Sequence, residues 1–251
     1  MTDSRIIKEH IQIDETDLKI KTDIINHNLR NFIFKQRFEL KNYIRKNPDF
    51  LNSYEPVLVG EINNYQTPLI ISLMARAGRR GEVGPMAAVS GAIAQLSMGF
   101  MVENCAKYVV IDNGGDIALK TDQNVVVGLY AGESSLSGEL GFKVKFRKTP
   151  MGICTSSGTV GHSISFGRSD SVTVFADEAS IADALATSIG NYCLGQTDND
   201  AVAKSLERAD DLRKYMRGVL VVVGESAGTL GKIPKLVKTD KKVVLGDLFE
   251  I

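Results

Sequence analysis

Glycine is distributed in this chain in a way that limits what it can fold into. The first fifty residues contain none, whereas glycine and other small residues concentrate between Gly78 and Gly167. A glycine-free stretch suits strands and long helices, and a glycine-rich one supplies tight turns and close backbone approaches. Residues 6–21 read as two short alternating strands, Ile11/Ile13 and Leu18/Ile20, around an acidic turn at Asp14-Glu15-Thr16-Asp17. Thr22 or Asp23 then caps a long helix, with Ile25, Leu29, Phe32, Gln36, Leu40 and Tyr43 at helical spacing and Pro48 as its stop. The segment 52–66 is irregular, and a second helix is predicted from about Pro68 to Ala77, ending in Gly78-Arg79-Arg80-Gly81.

Gly84-Pro85 opens a third helix that runs to about Val102. Met86, Val89, Ile93, Leu96 and Phe100 share one face; Ala87, Ala88, Ser90, Gly91, Ala92 and Ala94 leave room for another backbone. Strands are expected at 107–112, 117–120, 124–131, 141–147 and 171–176, helices at 179–193 and 199–216, and final strands at 218–224 and 242–249. Strands cluster rather than alternating with helices, which predicts an α+β fold. A single domain over 1–251 is the economical division: an N-terminal hairpin and long helix (1–66), a motif-bearing core (67–195) and a C-terminal helix and strands (196–251).

Thirty Lys and Arg balance thirty Asp and Glu. That lack of a basic excess argues against a nucleic-acid binder, which needs one to meet a phosphate backbone, and leaves a small phosphorylated ligand open. Cys105, Cys154 and Cys193 are odd in number and widely spaced, which fits reduced thiols in a cytoplasm. Residues Met1–His10 carry no apolar core or lipid-accepting cysteine, and no apolar run of about 18 residues is read in the chain, so a membrane role is not expected.

Four stretches could carry chemistry. Asp112-Asn113-Gly114-Gly115-Asp116 lies between apolar strands. Asn-Gly is a strong hairpin signal, and two bare peptide units also let a phosphate or ring approach main-chain N–H groups, with Asp116 beside them. Thr155-Ser156-Ser157-Gly158, with His162 shortly after, offers hydroxyl donors without bulk, and equally reads as an ordinary polar loop. Asp183 and Thr187 are spaced i,i+4 in a predicted helix, so carboxylate and hydroxyl share a face, as hard-oxygen ligands of Mg²⁺ would. An acid near a helix N-terminus, or a Thr bonded back to its own helix, is the plain alternative. The helix start at Gly84-Pro85, with Arg79 and Arg80 upstream, could attract an anion.

Three signals are set aside. Gly224–Lys232 resembles a phosphate loop, but Ser226 stands at the first required glycine and Ile233 at the magnesium-binding hydroxyl. Cys154 and His162 have no spacing that implies a thiol nucleophile. Phe32, Phe38 and Tyr43 lack the basic interleaving of a stacking platform and are expected to pack.

The order of these motifs resembles the flavin transferases of the ApbE-like superfamily. The resemblance rests on Asn113-Gly-Gly-Asp116, Thr155-Ser-Ser-Gly158, His162-Ser-Ile164, Ser171-Val-Thr-Val174 and Ala182-Asp-Ala-Leu-Ala-Thr187. A closer resemblance is to an uncharacterised cytoplasmic branch of that superfamily found in archaea and some bacteria, through Val83-Gly-Pro-Met-Ala-Ala-Val89 and Gly161-His-Ser163. It implies an ApbE-like antiparallel sheet with flanking helices, FAD or FMN as ligand, Mg²⁺, and transfer of FMN to an acceptor protein with release of AMP. Carried over by motif, Asp183 and Thr187 would hold the metal. Asn113, Gly114, Gly115 and Asp116 would line the flavin site with Ser156, Ser157 and Gly158, and Asp183 and His162 would serve the chemistry. The transferases carry Lys-Gly where this chain has Ser90-Gly91, and are exported or lipid-anchored. The missing lysine bears on catalysis more than on binding, so three classes stay open: an enzyme acting at the pyrophosphate, a ligand-binding module, and an assembly protein that keeps only the fold. A homo-oligomer and the identity of any acceptor are also left open.

Overall fold

The computed structural model describes residues 6–59, 67–158 and 167–239. In chain order the elements are β1 (Ile7–Ile13), β2 (Thr16–Thr22), α1 (Leu29–Lys46), α2 (Asp49–Asn52), α3 (Leu69–Gly81), a 3₁₀ turn (Pro85–Ala88), α4 (Val89–Glu103), β3 (Val109–Asn113), β4 (Asp116–Lys120), β5 (Val125–Gly128), β6 (Leu140–Val144), β7 (Met151–Ser156), β8 (Ser171–Ala176), α5 (Ala179–Asn191), α6 (Asp198–Asp211), a 3₁₀ turn (Arg213–Tyr215), β9 (Gly218–Val223), β10 (Ser226–Gly231) and β11 (Lys235–Lys238). Antiparallel sheet and flanking helices are the α+β architecture expected. The contacts divide the chain into two compact units, the first made of Met1–Asp122, Arg147–Cys154 and Ala176–Leu185, the second of Gln123–Phe146, Thr155–Phe175 and Ala186–Ile251.

In the first unit β1, β2, β3, β4 and β7 pair in that order, each antiparallel to the next. β2 alternates as a half-covered strand should, with Thr16, Leu18, Ile20 and Thr22 turned inward. α4 packs on β3 and β4. Phe32 of α1 stacks on Phe100 of α4 with ring centroids 4.4 Å apart, and Tyr43 meets Phe50 edge-on, so these aromatics do pack. Phe38 does not; it is 54% exposed. In the second unit β8, β9 and β10 form one antiparallel ladder and β11, β6 and β5 another.

Several boundaries differ from expectation for identifiable reasons. Thr22 and Asp23 do not cap α1. β2 continues through Thr22, and the Asp23 carboxylate accepts from the Lys107 and Tyr108 amides, 3.1 Å each for Oδ1, so the helix starts six residues beyond Asp23, at Leu29. β7 is not among the expected strands, because its Gly, Cys, Thr and Ser lack a strand's apolar alternation; its pairing with β4 forms it. β10, inside the rejected phosphate-loop stretch, and β11 were missed likewise; β10 forms because it pairs residue by residue with β9. The strand predicted at 242–249 lies outside the described residues. Pro85–Glu103, 19 residues, passes a length-and-composition test for a membrane span, but it is interrupted by Ser90, Gln95 and Ser97 and packs in the core, with Ala92, Ile93, Ala94, Met98 and Met101 buried.

Candidate functional site

The β3–β4 hairpin ends in a turn whose two central residues are Gly114 (φ 66°) and Gly115 (φ 100°), not Asn113 and Gly114. Both positions need positive φ, which glycine adopts without strain. Asn113 is therefore the last residue of β3, paired across the ladder with Asp116. An added Cβ at either glycine would meet nothing within 4 Å among the described residues, so the tip is open to a ligand. One of its amides is already used, since Gly115 N–H donates to Asp112 Oδ1 at 2.8 Å. Burial pushes the Asp112 carboxyl up, partly offset by that bond.

Asn113 is buried, and its Nδ2 donates to the Ser90 carbonyl at 3.1 Å, fastening the hairpin to the first turn of α4. The next amide, Gly91 N–H, donates to Asp183 Oδ2 of α5 at 2.8 Å. α4 has no side-chain cap of its own and no acid in its first turn. Asp183 supplies from a neighbouring helix the acceptor and negative charge that an unsatisfied helix N-terminus favours. Gly91 makes this approach possible, because a Cβ there would strike the Ala179 carbonyl oxygen and come within 2.8 Å of Asp183 Cβ. The small residues of this helix thus serve the contact that sequence anticipated without identifying its partner.

Burial raises the Asp183 carboxyl to about 7, with the Gly91 amide pulling the other way. Cys154 extends the cluster. It is wholly buried, its Sγ–H lies 3.2 Å from the Ala179 carbonyl oxygen, and burial and then the charges of Asp116 and Asp183 push the thiol well up. A thiol so held is not a nucleophile at neutral pH. Asp116 and Asp183 thus both lie near Cys154, and Gly91 meets Asp183, within the first unit. No group of three or more His, Cys, Asp or Glu arranged for a metal occurs among the described residues. A divalent cation here would have to complete its shell with a hydroxyl, water or ligand phosphates, the mode in which Mg²⁺ is commonly bound. Asp183 fits that role: one oxygen is fixed by Gly91, and burial leaves the anion short of compensating charge.

Ser156, Ser157, Gly158 and Thr187 belong to the second unit. Ser156 is buried at the end of β7, Ser157 Oγ lies 3.5 Å from the Ser169 carbonyl, and Gly158 N–H donates to that carbonyl at 2.8 Å. Thr187 is half-buried one turn beyond Asp183 on α5. His162 lies outside the described residues. The helix start at Gly84 is tightly packed and its upstream arginine is engaged. Its first turn is a four-residue 3₁₀ segment, an added Cβ at Gly84 would strike the Ser53 carbonyl, and Arg80 sits 3.7 Å from Glu178.

Sequence reasoning missed Gln95, Glu178 and Ser180. Gln95 Oε1 accepts from Ser180 N–H (3.0 Å) and Ser180 Oγ (2.9 Å), and its Nε2 donates to Glu178 Oε2 (3.2 Å). Arg76 of α3 pairs with the same carboxylate. The available signal was a lone amide four residues after Gly91 in a helix built of small and apolar residues up to its terminal Glu103. A cavity of about 390 Å³ opens beside Gln95 and Glu178, lined mainly by apolar groups that include Phe32, Leu73, Leu96 and Phe100.

Residues 1–232 match the family model described as AbpE bacteria. A UPF0280 protein of Methanothermobacter thermautotrophicus is 57% identical over 96% of this chain and 92% of its own length. The UPF0280 protein MJ1526 of Methanocaldococcus jannaschii is 47% identical over 97% and 98%. Among solved structures, the ApbE protein of Thermotoga maritima superposes with a TM-score of 0.53 at 13% identity, covering 98% of this chain and 100% of that one. The Pseudomonas stutzeri flavinyl transferase ApbE, in its apo form, gives 0.50 at 12% identity over 98% of each. At such identities the structural likeness carries the fold, and the family follows from the sequence match: the chain belongs to the AbpE bacteria family, as an archaeal-type, ApbE-like protein related to the UPF0280 proteins.

Proposed function

We propose that this protein binds a flavin nucleotide, FAD or FMN, or a similar phosphorylated ligand, together with Mg²⁺ held by Asp183 and Thr187. The observation that carries the reading is the meeting of Asp183, the Gly91 amide and the Asn113–Asp116 hairpin in one cluster. The P. stutzeri neighbour is named a flavinyl transferase, which supports flavin as the first ligand to test. Bound magnesium would supply positive charge to neutralise the phosphates. Gly114 and Gly115 leave space for the ligand, Asn113 holds the hairpin to α4, and Asp116 is proposed to hold a ribose or base edge. Ser156, Ser157 and Gly158 are proposed to contribute to the same ligand. Three free cysteines accord with a reducing cytoplasm, the compartment proposed here.

Where the chain also breaks the pyrophosphate, Asp183 and His162 are the residues proposed to serve it, FAD yielding AMP and an FMN group passed to water or to an acceptor protein. One observation favours binding without turnover: Ser90 places no cation at the start of α4, and its carbonyl is engaged by Asn113. Titration of FAD with and without Mg²⁺, followed by chromatography for FMN and AMP, tests both. Magnesium-dependent binding supports the site, and AMP release adds catalysis. FAD binding that ignores both Mg²⁺ and Asp183→Ala would refute it.

A further inference from the structure

We infer that Gln95 is a positioning residue for Asp183, locking α4 and α5 together by a second bond one turn from the first. The inference rests on Asp183 being the cation-holding carboxylate.

Each helix caps the other. Asp183 of α5 accepts from Gly91 N–H in the first turn of α4, and Gln95 of α4 accepts from Ser180 N–H in the first turn of α5. Gly91 and Gln95 are spaced i,i+4 and Ser180 and Asp183 i,i+3, so both bonds join the same two faces. The packing of Ala182, Ala184 and Leu185 seats α5 in the core, while the two bonds set its register against α4 at two points. Two bonds a turn apart fix the rotation of Asp183 about the α5 axis more narrowly than one.

The Gln95 amide is itself held in one sense. Its oxygen receives two donors from Ser180, and its nitrogen faces the Glu178 carboxylate, so turning the amide over would set N–H groups against N–H. Arg76 and, at 3.7 Å, Arg80 fix Glu178 from α3. Gln95 makes its contacts to Ser180 and Glu178 rather than to Asp183 itself. Its action passes through α5 to the direction in which Asp183 presents its remaining oxygen.

The test compares wild type, Gln95→Leu and Leu96→Ala, the last removing apolar packing from the adjacent position of the same helix. The Gly91 amide is followed by ¹⁵N–¹H NMR for its chemical shift and exchange protection, and Mn²⁺ affinity is measured with the metal alone. Gln95→Leu is expected to shift the Gly91 amide, to shorten its protection and to weaken Mn²⁺ binding by about tenfold, the scale on which partners orienting a metal ligand act. Leu96→Ala is expected to lower Tm while leaving the Gly91 amide and Mn²⁺ affinity unchanged. An unperturbed Gly91 amide in folded Gln95→Leu, or equal perturbation in Leu96→Ala, overturns the inference. Failure of wild type to bind Mn²⁺ overturns the metal reading instead, and the Gly91 amide still decides what Gln95 does.

Discussion

Two aspartates of the first unit sit in opposite electrostatic settings. Asp14, at the exposed β1–β2 turn, has cations beside it: Lys41 Nζ at 2.6 Å and Arg37 Nη2 at 3.1 Å. The hydrogen bond from Lys41, then that from Arg37, lowers its carboxyl, and Arg37 does the same for Glu15. Asp183 has one amide and burial, and its carboxyl is raised. A carboxylate already matched by side-chain cations ties a turn to a helix. One desolvated without a matching cation is poised to take one from outside.

The largest effect should come from removing the poised group. Asp183→Ala is expected to weaken magnesium-dependent flavin affinity by at least about tenfold, in line with the loss of a charged ligand contact. Arg37→Ala, compared with it by calorimetric titration of FAD in the presence of Mg²⁺, should leave that affinity unchanged. Next comes the contact that holds Asp183 in place. Gly91→Ala drives a methyl group into the Ala179 carbonyl, and chemical denaturation should show a loss of about 1–3 kcal/mol, typical of overpacking.

How much of this was legible in sequence depends on range. The β1–β2 hairpin, the β3–β4 turn and the i,i+4 pair Asp183/Thr187 were readable because their partners are neighbours in the chain. Even there, Asn113 proved to be a strand residue and Gly115 a turn residue, because the bond from Gly115 to Asp112 and the ladder pairing decide where the turn begins. The bonds from Gly91 to Asp183 and from Gln95 to Ser180 join residues more than eighty positions apart, and no local spacing encodes them. β7 was unreadable for a similar reason, since Gly152 and Cys154 become strand residues only beside β4. The motif order pointed to the family, while the geometry showed which motif residues meet.

A subtler separation is in pH. The folded-state carboxyl of Asp183 titrates near 7, above its ordinary value of 3.8, so the folded protein binds more protons than the unfolded chain between those values. Its contribution to stability is full below about pH 4 and is lost as pH rises towards 7. Relative to Asp183→Asn, the Tm of metal-free wild type should therefore fall across that window and then level. Asp14 and Glu15 have lowered values and act in the opposite sense: their contribution is present above the ordinary carboxylate range and disappears in acid. The smallest effect is expected for Lys41→Ala, whose Tm should stay close to that of wild type, because its bond to Asp14 is solvent-exposed.

The most direct measurement is a ¹³C NMR titration of the Asp183 carboxyl against pH, with and without Mg²⁺. The predicted result is a midpoint near 7 in metal-free protein that moves down when Mg²⁺ is added, while the Asp14 carboxyl stays where it was. A midpoint for Asp183 in the ordinary aspartate range, unmoved by Mg²⁺, would contradict the central claim that this carboxylate is built to receive a cation.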